Sequence, residues 1–227
     1  MGARGVGRHE PGGALHDPER AQELGLRHRA VDGEALRVES GPGPALVNLH
    51  RYWAEEGAVV ADLRERTVRT APPVDEGRLA VALDRLFPES FDEQRQAAEE
   101  SARRWTSVIT GGPGTGKTTT LARLLAVLAD QGTPTGTPLR IALAAPTGKA
   151  AARMSQALGR AITATEFPLP DADKTAVDGL AASTLHRLLG FRPDNHSRFR
   201  HHRGNRLPYD VVVVDETSMV SLTMMAR

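Results

Sequence analysis

A glycine-rich loop between an apolar pair and an amphipathic segment constrains this chain more than any other feature. Residues Gly111 to Thr118 read Gly-Gly-Pro-Gly-Thr-Gly-Lys-Thr and satisfy the pattern G-x-x-x-x-G-K-[ST] in full. Before the loop, Val108-Ile109 predicts a short buried strand. After it, the segment from Lys117 to Asp130 predicts a helix with its leucines on one face. A strand, a glycine loop and a helix in this order predict a site that binds phosphate groups.

The residue types in the loop suit a nucleotide triphosphate. Glycine lets the backbone turn tightly and approach phosphate oxygens, so that successive N–H groups form an anion nest. We expect the ammonium of Lys117 to reach the β- and γ-phosphates of ATP, and the hydroxyl of Thr118 to bind Mg²⁺. The predicted nucleotide-binding residues of the loop are Gly111, Gly112, Pro113, Gly114, Thr115, Gly116, Lys117, Thr118 and Thr119.

An acidic pair after a run of valines is the second feature. Val211 to Val214 predicts a buried strand that is apolar on both faces, and Asp215 and Glu216 follow it directly. Ligands bind at the carboxyl ends of parallel strands. Asp215 is therefore predicted to hold Mg²⁺, directly or through water, and Glu216 to polarise an attacking water. The alternative is an ordinary strand that ends in a solvated acidic turn, and the phosphate loop upstream makes that alternative weaker.

A third segment is ambiguous from the pattern alone. A strand predicted from Arg140 to Ala144 leads through Pro146 to Thr147, which is typical of a helix N-cap. Helix N–H groups, the Thr147 hydroxyl and Lys149 could together hold a DNA phosphate. Plain helix initiation at a sheet edge is the simpler interpretation.

Two more positions carry open alternatives. Ser183 to Leu189 predicts a short helix, whose Thr184 and His186 either contact a nucleic-acid strand or are an ordinary cap and a surface histidine. The amide of Gln94 could read the adenine edge through a bidentate hydrogen bond, although a solvated helix glutamine is the usual case. The histidines and arginines of residues 192–207 lack a regular metal-ligand set and favour a structureless basic loop.

Strands that alternate with helices from residue 89 onward predict a parallel α/β sheet with flanking helices. The preceding region, residues 1–88, divides into a poorly ordered 1–44 and a mostly helical 45–88. Lys and Arg number 29 against 28 Asp and Glu, so any nucleic-acid contact must be local. The chain has no cysteine, which excludes disulfides. With no apolar run long enough for a membrane and no secretory leader, we expect a cytoplasmic protein without a membrane partner.

Four segments in order resemble the motifs of superfamily 1 helicases, in particular the RecD-like alpha subunits of exodeoxyribonuclease V. They are Val108–Thr120 for motif I, Ala145–Arg153 for motif Ia, Ser183–Gly190, and Asp215–Val220 for motif II. The resemblance implies a RecA-like P-loop motor domain 1A over residues 89–227, with ATP and Mg²⁺ as cofactors. It implies an adenine-reading role for Gln94, and DNA contacts at Pro146, Thr147, Lys149, Thr184 and His186.

The resemblance also implies a function. Such subunits couple ATP hydrolysis to translocation on single-stranded DNA in double-strand break repair and recombination, with DNA and RecB-like and RecC-like subunits as partners. Family members continue beyond motif II to an arginine finger and a second motor domain, and this chain stops at Arg227. We therefore expect a fragment that is inactive alone. Two alternatives stay open: a half-motor that binds nucleotide without hydrolysing it, and a P-loop ATPase that is not a helicase.

Overall fold

The computed structural model describes residues 36–39, 46–88, 91–112, 114–132, 139–163, 171, 175, 177–192 and 199–227. The chain divides into two compact units, one up to Ala61 and one from Asp62 to Met225. Among the described residues, no helix has both the length and the apolar character needed to cross a bilayer. Pro113, residues 133–138 and most of residues 164–176 lie outside the described residues.

The first unit contains a strand pair and the start of a long helix. β1 (Leu36–Glu39) pairs antiparallel with β2 (Leu46–Leu49), and Leu36 lies opposite Leu49. α1 (His50–Val68) follows β2 directly and has no buried residue. β2 and α1 together cover residues 46–68 without a break. β1 is a strand within residues 1–44 that the sequence did not predict.

The second unit is built on a parallel sheet of three strands. Its strands are β3 (Ile141–Ala145), β4 (Ala182–Thr184) and β5 (Val211–Val214). β3 lies in the centre, with Leu143 paired to Ala182 on one side and to Val213 on the other. The parallel α/β sheet predicted from the alternating pattern is confirmed.

Helices of the second unit cover this sheet and one another. They are α2 (Glu76–Leu86), α3 (Asp92–Ala102), α4 (Lys117–Gly132), α5 (Gly148–Thr163), α6 (Leu185–Leu189) and α7 (Leu222–Met225), with a 3-10 turn at Thr217–Met219. α4 packs against α2, α3 and α5. Because only 4% of the residues are aromatic, aliphatic side chains fill the core. The largest fully buried ones are Leu79, Leu83, Val127, Leu125, Leu158 and Val177.

α2 belongs to the core of the second unit. Its leucines Leu79, Leu83 and Leu86 are buried, as their spacing predicts. The carboxylate of Asp75 caps the helix by accepting from Arg78 N at 3.0 Å, and Asp75 N donates to Gln131 Oε1 at 2.9 Å. This bond ties the start of α2 to the end of α4. The division predicted between residues 88 and 89 remains a prediction.

Two predicted elements differ in the structure. The strand predicted at Val108-Ile109 is wrong, because no described strand pairs with these residues and Val108 is 79% exposed. The helix predicted from Ser183 begins at Leu185 instead, because Ser183 and Thr184 pair with Ala144 and Ala145 of β3. In both cases pairing with a distant strand, which local sequence does not encode, decides the outcome.

Candidate nucleotide-binding site

The glycine loop has backbone geometry that side chains would strain. Gly114 and Gly116 have φ values of 79° and 76°, in the left-handed region that favours glycine. At Gly111 a Cβ atom would lie 2.6 Å from Thr115 Oγ1, closer than van der Waals contact allows. α4 begins at Lys117, immediately after the loop. Two left-handed glycines therefore lie directly before a helix N-terminus, which is where phosphate nests form in proteins.

Lys117 is held by the loop that precedes it. Its Nζ donates to the carbonyl oxygens of Gly111 and Gly112, both at 2.7 Å. The hydroxyl of Thr115 donates to the same Gly112 carbonyl at 3.0 Å. One donor of the ammonium is left for another acceptor. The positive charge of Lys117 is thus fixed at the loop, and Thr118 and Thr119 follow it half-buried.

The acidic pair extends the strand and then turns sharply. Asp215 N donates to Ala144 O at 2.9 Å, so β5 stays beside β3 for one more residue. Glu216 has φ 51° and ψ 43°, and among the described residues it alone has a positive φ without being glycine. A left-handed residue with a side chain costs roughly 1–2 kcal/mol. Backbone strain of this kind clusters at functional sites, and both carboxylates are exposed.

Sheet pairing brings three predicted segments to one edge. Ala145 pairs with Thr184, and Ala144 pairs with Val214. Thr147, Thr184 and Asp215 therefore all lie at the carboxyl ends of neighbouring parallel strands. The predicted DNA-contact residues Pro146, Lys149 and His186 belong to two of these segments, and Lys149 and His186 are exposed.

Both threonines at this edge cap helices. The hydroxyl oxygen of Thr147 accepts from Ala150 N at 3.1 Å, at the start of α5. That of Thr184 accepts from Arg187 N at 3.2 Å, at the start of α6. The N-cap predicted at Thr147 is confirmed. Each hydroxyl keeps its own proton for donation to another group.

The phosphate loop and Gln94 are positioned by helix packing instead. Gln94 lies half-buried in the first turn of α3, and α3 packs on α4. Among the described strands, none pairs with the segment that leads into the loop. The predicted site residues thus fall into two groups, one placed by the sheet and one placed by α3 and α4.

An aromatic cluster around His186 was missed by sequence reasoning. The His186 ring lies 5.5 Å from the Phe191 ring and 5.9 Å from the Phe199 ring, centroid to centroid. Phe191 and Phe199 form an antiparallel bridge, and Arg200 N donates to Gly190 O at 3.0 Å. The structureless loop predicted for residues 192–207 is therefore wrong for its described part. Charged residues separate the two phenylalanines in sequence, so no periodicity signals the contact.

A buried arginine was also missed. Arg123 of α4 is 3% exposed. Its guanidinium carbon lies 4.7 Å from the Phe91 ring centroid and 5.6 Å from that of Phe87. Burial lowers the pKa of Arg123. The two phenylalanines four residues apart around Pro88 were the available signal.

The opposite, amino edge of the sheet is clamped by a charge pair. Arg140 Nε and Nη2 donate to Asp210 Oδ2 and Oδ1 at 3.1 and 3.0 Å, and Arg140 N donates to Asp210 Oδ2 at 2.9 Å. The hydrogen bonds from Arg140 lower the pKa of Asp210 to about 2. This clamp joins the starts of β3 and β5 and fixes their register.

Comparisons with known proteins agree with this geometry. The family described as "AAA domain" matches residues 94–227. The RecBCD enzyme subunit RecD of Mycolicibacterium smegmatis is 55% identical over 183 residues, which is 80% of this chain and 31% of that protein. The Haemophilus influenzae RecBCD enzyme subunit RecD is 38% identical over 187 residues, covering 78% of this chain and 28% of that protein.

A further relative carries a different name. The ATP-dependent RecD2 DNA helicase of Deinococcus radiodurans is 35% identical over 218 residues, which is 95% of this chain and 26% of that protein. The chain thus spans less than a third of the length of these relatives. The matched range contains the glycine loop and the acidic pair. The resemblance to RecD-like proteins is confirmed, and the chain belongs to the AAA domain family.

Proposed function

We propose that this chain is the nucleotide-binding part of an ATP-dependent DNA helicase subunit in a RecBCD-type exodeoxyribonuclease V. The observation that carries the proposal is the loop from Gly111 to Lys117, whose left-handed glycines and fixed ammonium suit a triphosphate. Relatives named as RecBCD subunits and as a DNA helicase support the wider activity. DNA and RecB-like and RecC-like subunits are the proposed partners.

In this proposal the group placed by α3 and α4 binds the nucleotide, and the acidic pair at the sheet edge acts on its phosphates. The loop residues from Gly111 to Thr119 bind the triphosphate through backbone N–H groups, and Gln94 reads the adenine edge. The Thr118 hydroxyl and the exposed Asp215 carboxylate are oxygen ligands of the kind that Mg²⁺ prefers. A bound Mg²⁺ supplies neutralisation of phosphate charge. Glu216 orients the attacking water in line with the γ-phosphate.

The carboxyl edge of the sheet is the proposed route to DNA. Thr147 and Thr184 have a hydroxyl proton available for a phosphate oxygen, and exposed Lys149 and His186 lie in the same segments. Pro146 follows the last residue of β3, at this edge. Because Asp215 N donates to Ala144 O of the neighbouring strand, movement at the acidic pair would reach Thr147 through β3. That connection supports coupling between hydrolysis and stepping.

The proposal is tested by measuring ATP binding, and ATP hydrolysis in the presence of single-stranded DNA. The unchanged chain is compared with the variants Lys117→Ala and Glu216→Gln. We expect Lys117→Ala to weaken ATP binding by at least about tenfold, since an interaction of 1.4 kcal/mol corresponds to that factor. Glu216→Gln should keep binding, because it retains size and loses only the base. Absence of ATP binding by the unchanged chain would refute the proposal.

The rate of ATP hydrolysis distinguishes the helicase from the two alternatives, a half-motor and an ATPase that is not a helicase. Hydrolysis equal to the Lys117→Ala background, with binding retained, identifies a half-motor. Hydrolysis above that background but unchanged by DNA identifies an ATPase that is not a helicase. For any longer product that the coding frame specifies, the helicase proposal expects DNA-stimulated hydrolysis that Glu216→Gln abolishes.

A further inference from the structure

The buried Arg123 lies between the helix that carries Gln94 and the helix that follows the phosphate loop. Its guanidinium is flanked by the rings of Phe87 and Phe91, at distances at which a cation is attracted to an aromatic face. Phe91 directly precedes α3, the helix that carries Gln94. Arg123 itself lies on α4, which begins at Lys117. One side chain therefore links the proposed base-reading element to the phosphate-loop helix.

The Gln94 end of α3 and the C-terminal half of that helix are held by different contacts. Phe91 occupies the N-cap position and makes no side-chain cap hydrogen bond. The buried residues of α3, Ala98 and Ala102, both lie in its C-terminal half. The Arg95–Asp84 ion pair, at 2.7 Å, has an Asp84 side chain that is 71% exposed, and exposed pairs contribute little. Phe91 also packs against the hydrophobic core, and its contact with Arg123 adds a buried anchor near Gln94.

α4 connects Arg123 rigidly to the phosphate loop. Arg123 is six residues beyond Lys117, about 9 Å along a helix. Its neighbours Ala122 and Leu124 are buried at 1% and 6% exposure, so the helix cannot rotate there without disrupting the core. The distance between the Phe91 turn and the loop is therefore set by a rigid element.

We infer that Arg123 is a positioning residue for base recognition, because its guanidinium between Phe87 and Phe91 holds Gln94 at a fixed place relative to the phosphate loop. The inference rests on the proposed nucleotide binding and adds the determinant of base selectivity. A purely structural role would change stability and would affect every ligand of the loop alike. A positioning role affects ATP and spares a ligand that has phosphates but no base.

Binding of ATP, GTP and tripolyphosphate, measured by calorimetry, distinguishes these roles. In Arg123→Met we expect ATP affinity to fall about tenfold, the size expected for a lost pair of hydrogen bonds. Tripolyphosphate affinity should stay unchanged, and the preference for ATP over GTP should disappear. Arg123→Lys should keep most of the preference, because an ammonium also binds between aromatic rings. Arg160→Met, an exposed arginine on α5, is the matched control and should behave as the unchanged chain.

A double-mutant cycle with Gln94→Ala gives the second readout. If Arg123 acts through Gln94, the double variant should lose no more ATP affinity than Gln94→Ala alone. Phe91→Leu removes the aromatic ring and keeps the cation. If Arg123→Met does not fold, Phe91→Leu should show the same loss of ATP affinity with unchanged tripolyphosphate affinity. Equal weakening of ATP and tripolyphosphate, or no weakening of either, would overturn the role of Arg123 alone. Failure of the unchanged chain to bind ATP and tripolyphosphate would overturn the proposed function as well.

Discussion

The helix behind the phosphate loop and the strand before the acidic pair differ sharply in how they are packed. Residues Ala122 to Val127 of α4 are all buried. In contrast, β5 has Val212 at 41% exposure and contains no buried residue. Each element adjoins a recognisable sequence motif. A motif therefore does not predict how tightly the element beside it is packed, and the two halves of one site can differ in rigidity.

Truncation of one side chain in each element gives the largest expected difference. Leu125→Ala removes a side chain with 0% exposure and should lower the free energy of unfolding by about 2–5 kcal/mol. Val212→Ala, at 41% exposure, should lower it by less than about 1 kcal/mol, because little apolar area is lost. Urea denaturation followed by circular dichroism measures both. If Val212→Ala lowered the free energy of unfolding as much as Leu125→Ala, the two elements would not differ in packing as described.

The strained turn after β5 should yield a smaller effect. Glu216 has a positive φ, and glycine adopts that conformation without steric cost. Glu216→Gly should therefore be about 1 kcal/mol more stable than the matched variant Glu216→Ala, which keeps the strain. Thermal melting of the two variants measures the difference. Equal melting temperatures would mean that the turn relaxes when Glu216 is replaced. The segment after β5 would then be less constrained than α4.

The charge clamp at the start of β5 gives the smallest effect, and it depends on pH. Because Arg140 lowers the pKa of Asp210 from 3.8 to about 2 in the folded protein, the clamp stabilises the fold fully above the unfolded pKa. Its contribution is lost as the pH falls from about 4 toward 2. The stabilities of the unchanged chain and Asp210→Asn, from urea denaturation between pH 6 and pH 2.5, should therefore converge at the acidic end. A difference that stays constant over this range would show that the carboxylate charge is not responsible.

Sequence predicted the elements whose determinants are local. The leucines of α2 and α4 recur at helical spacing. Those of α2 are buried, as are Leu124 and Leu125 of α4, and the other leucines of α4 are half-buried. The strand at the valine run of β5 and the Thr147 cap also follow from adjacent residues. The burial predicted for that strand is wrong, because none of its four residues is buried. The glycines of the loop match backbone geometry that the motif requires. These features need only neighbouring residues to form, so a single sequence contains their signal.

Features that depend on distant partners were not predictable. Val108 and Ile109 have strand composition, but a strand also needs a neighbour to pair with. Thr184 reads as the start of a helix, yet pairing with Ala145 makes it the last residue of a strand. Arg123 reads as a polar helix position, and only the fold places Phe87 and Phe91 against it. In each case the missing information is tertiary.

The two hydrogen bonds from Lys117 to its own loop change what nucleotide capture involves. Its ammonium donates to the carbonyls of Gly111 and Gly112, so a phosphate that needs more than the one remaining donor must replace one of these carbonyls. Such an exchange nearly conserves the number of hydrogen bonds, and the gain comes from pairing opposite charges. Affinity should then follow ionic strength more closely than bond count. The same lysine braces the loop, so replacing it removes a structural cross-link together with a charge.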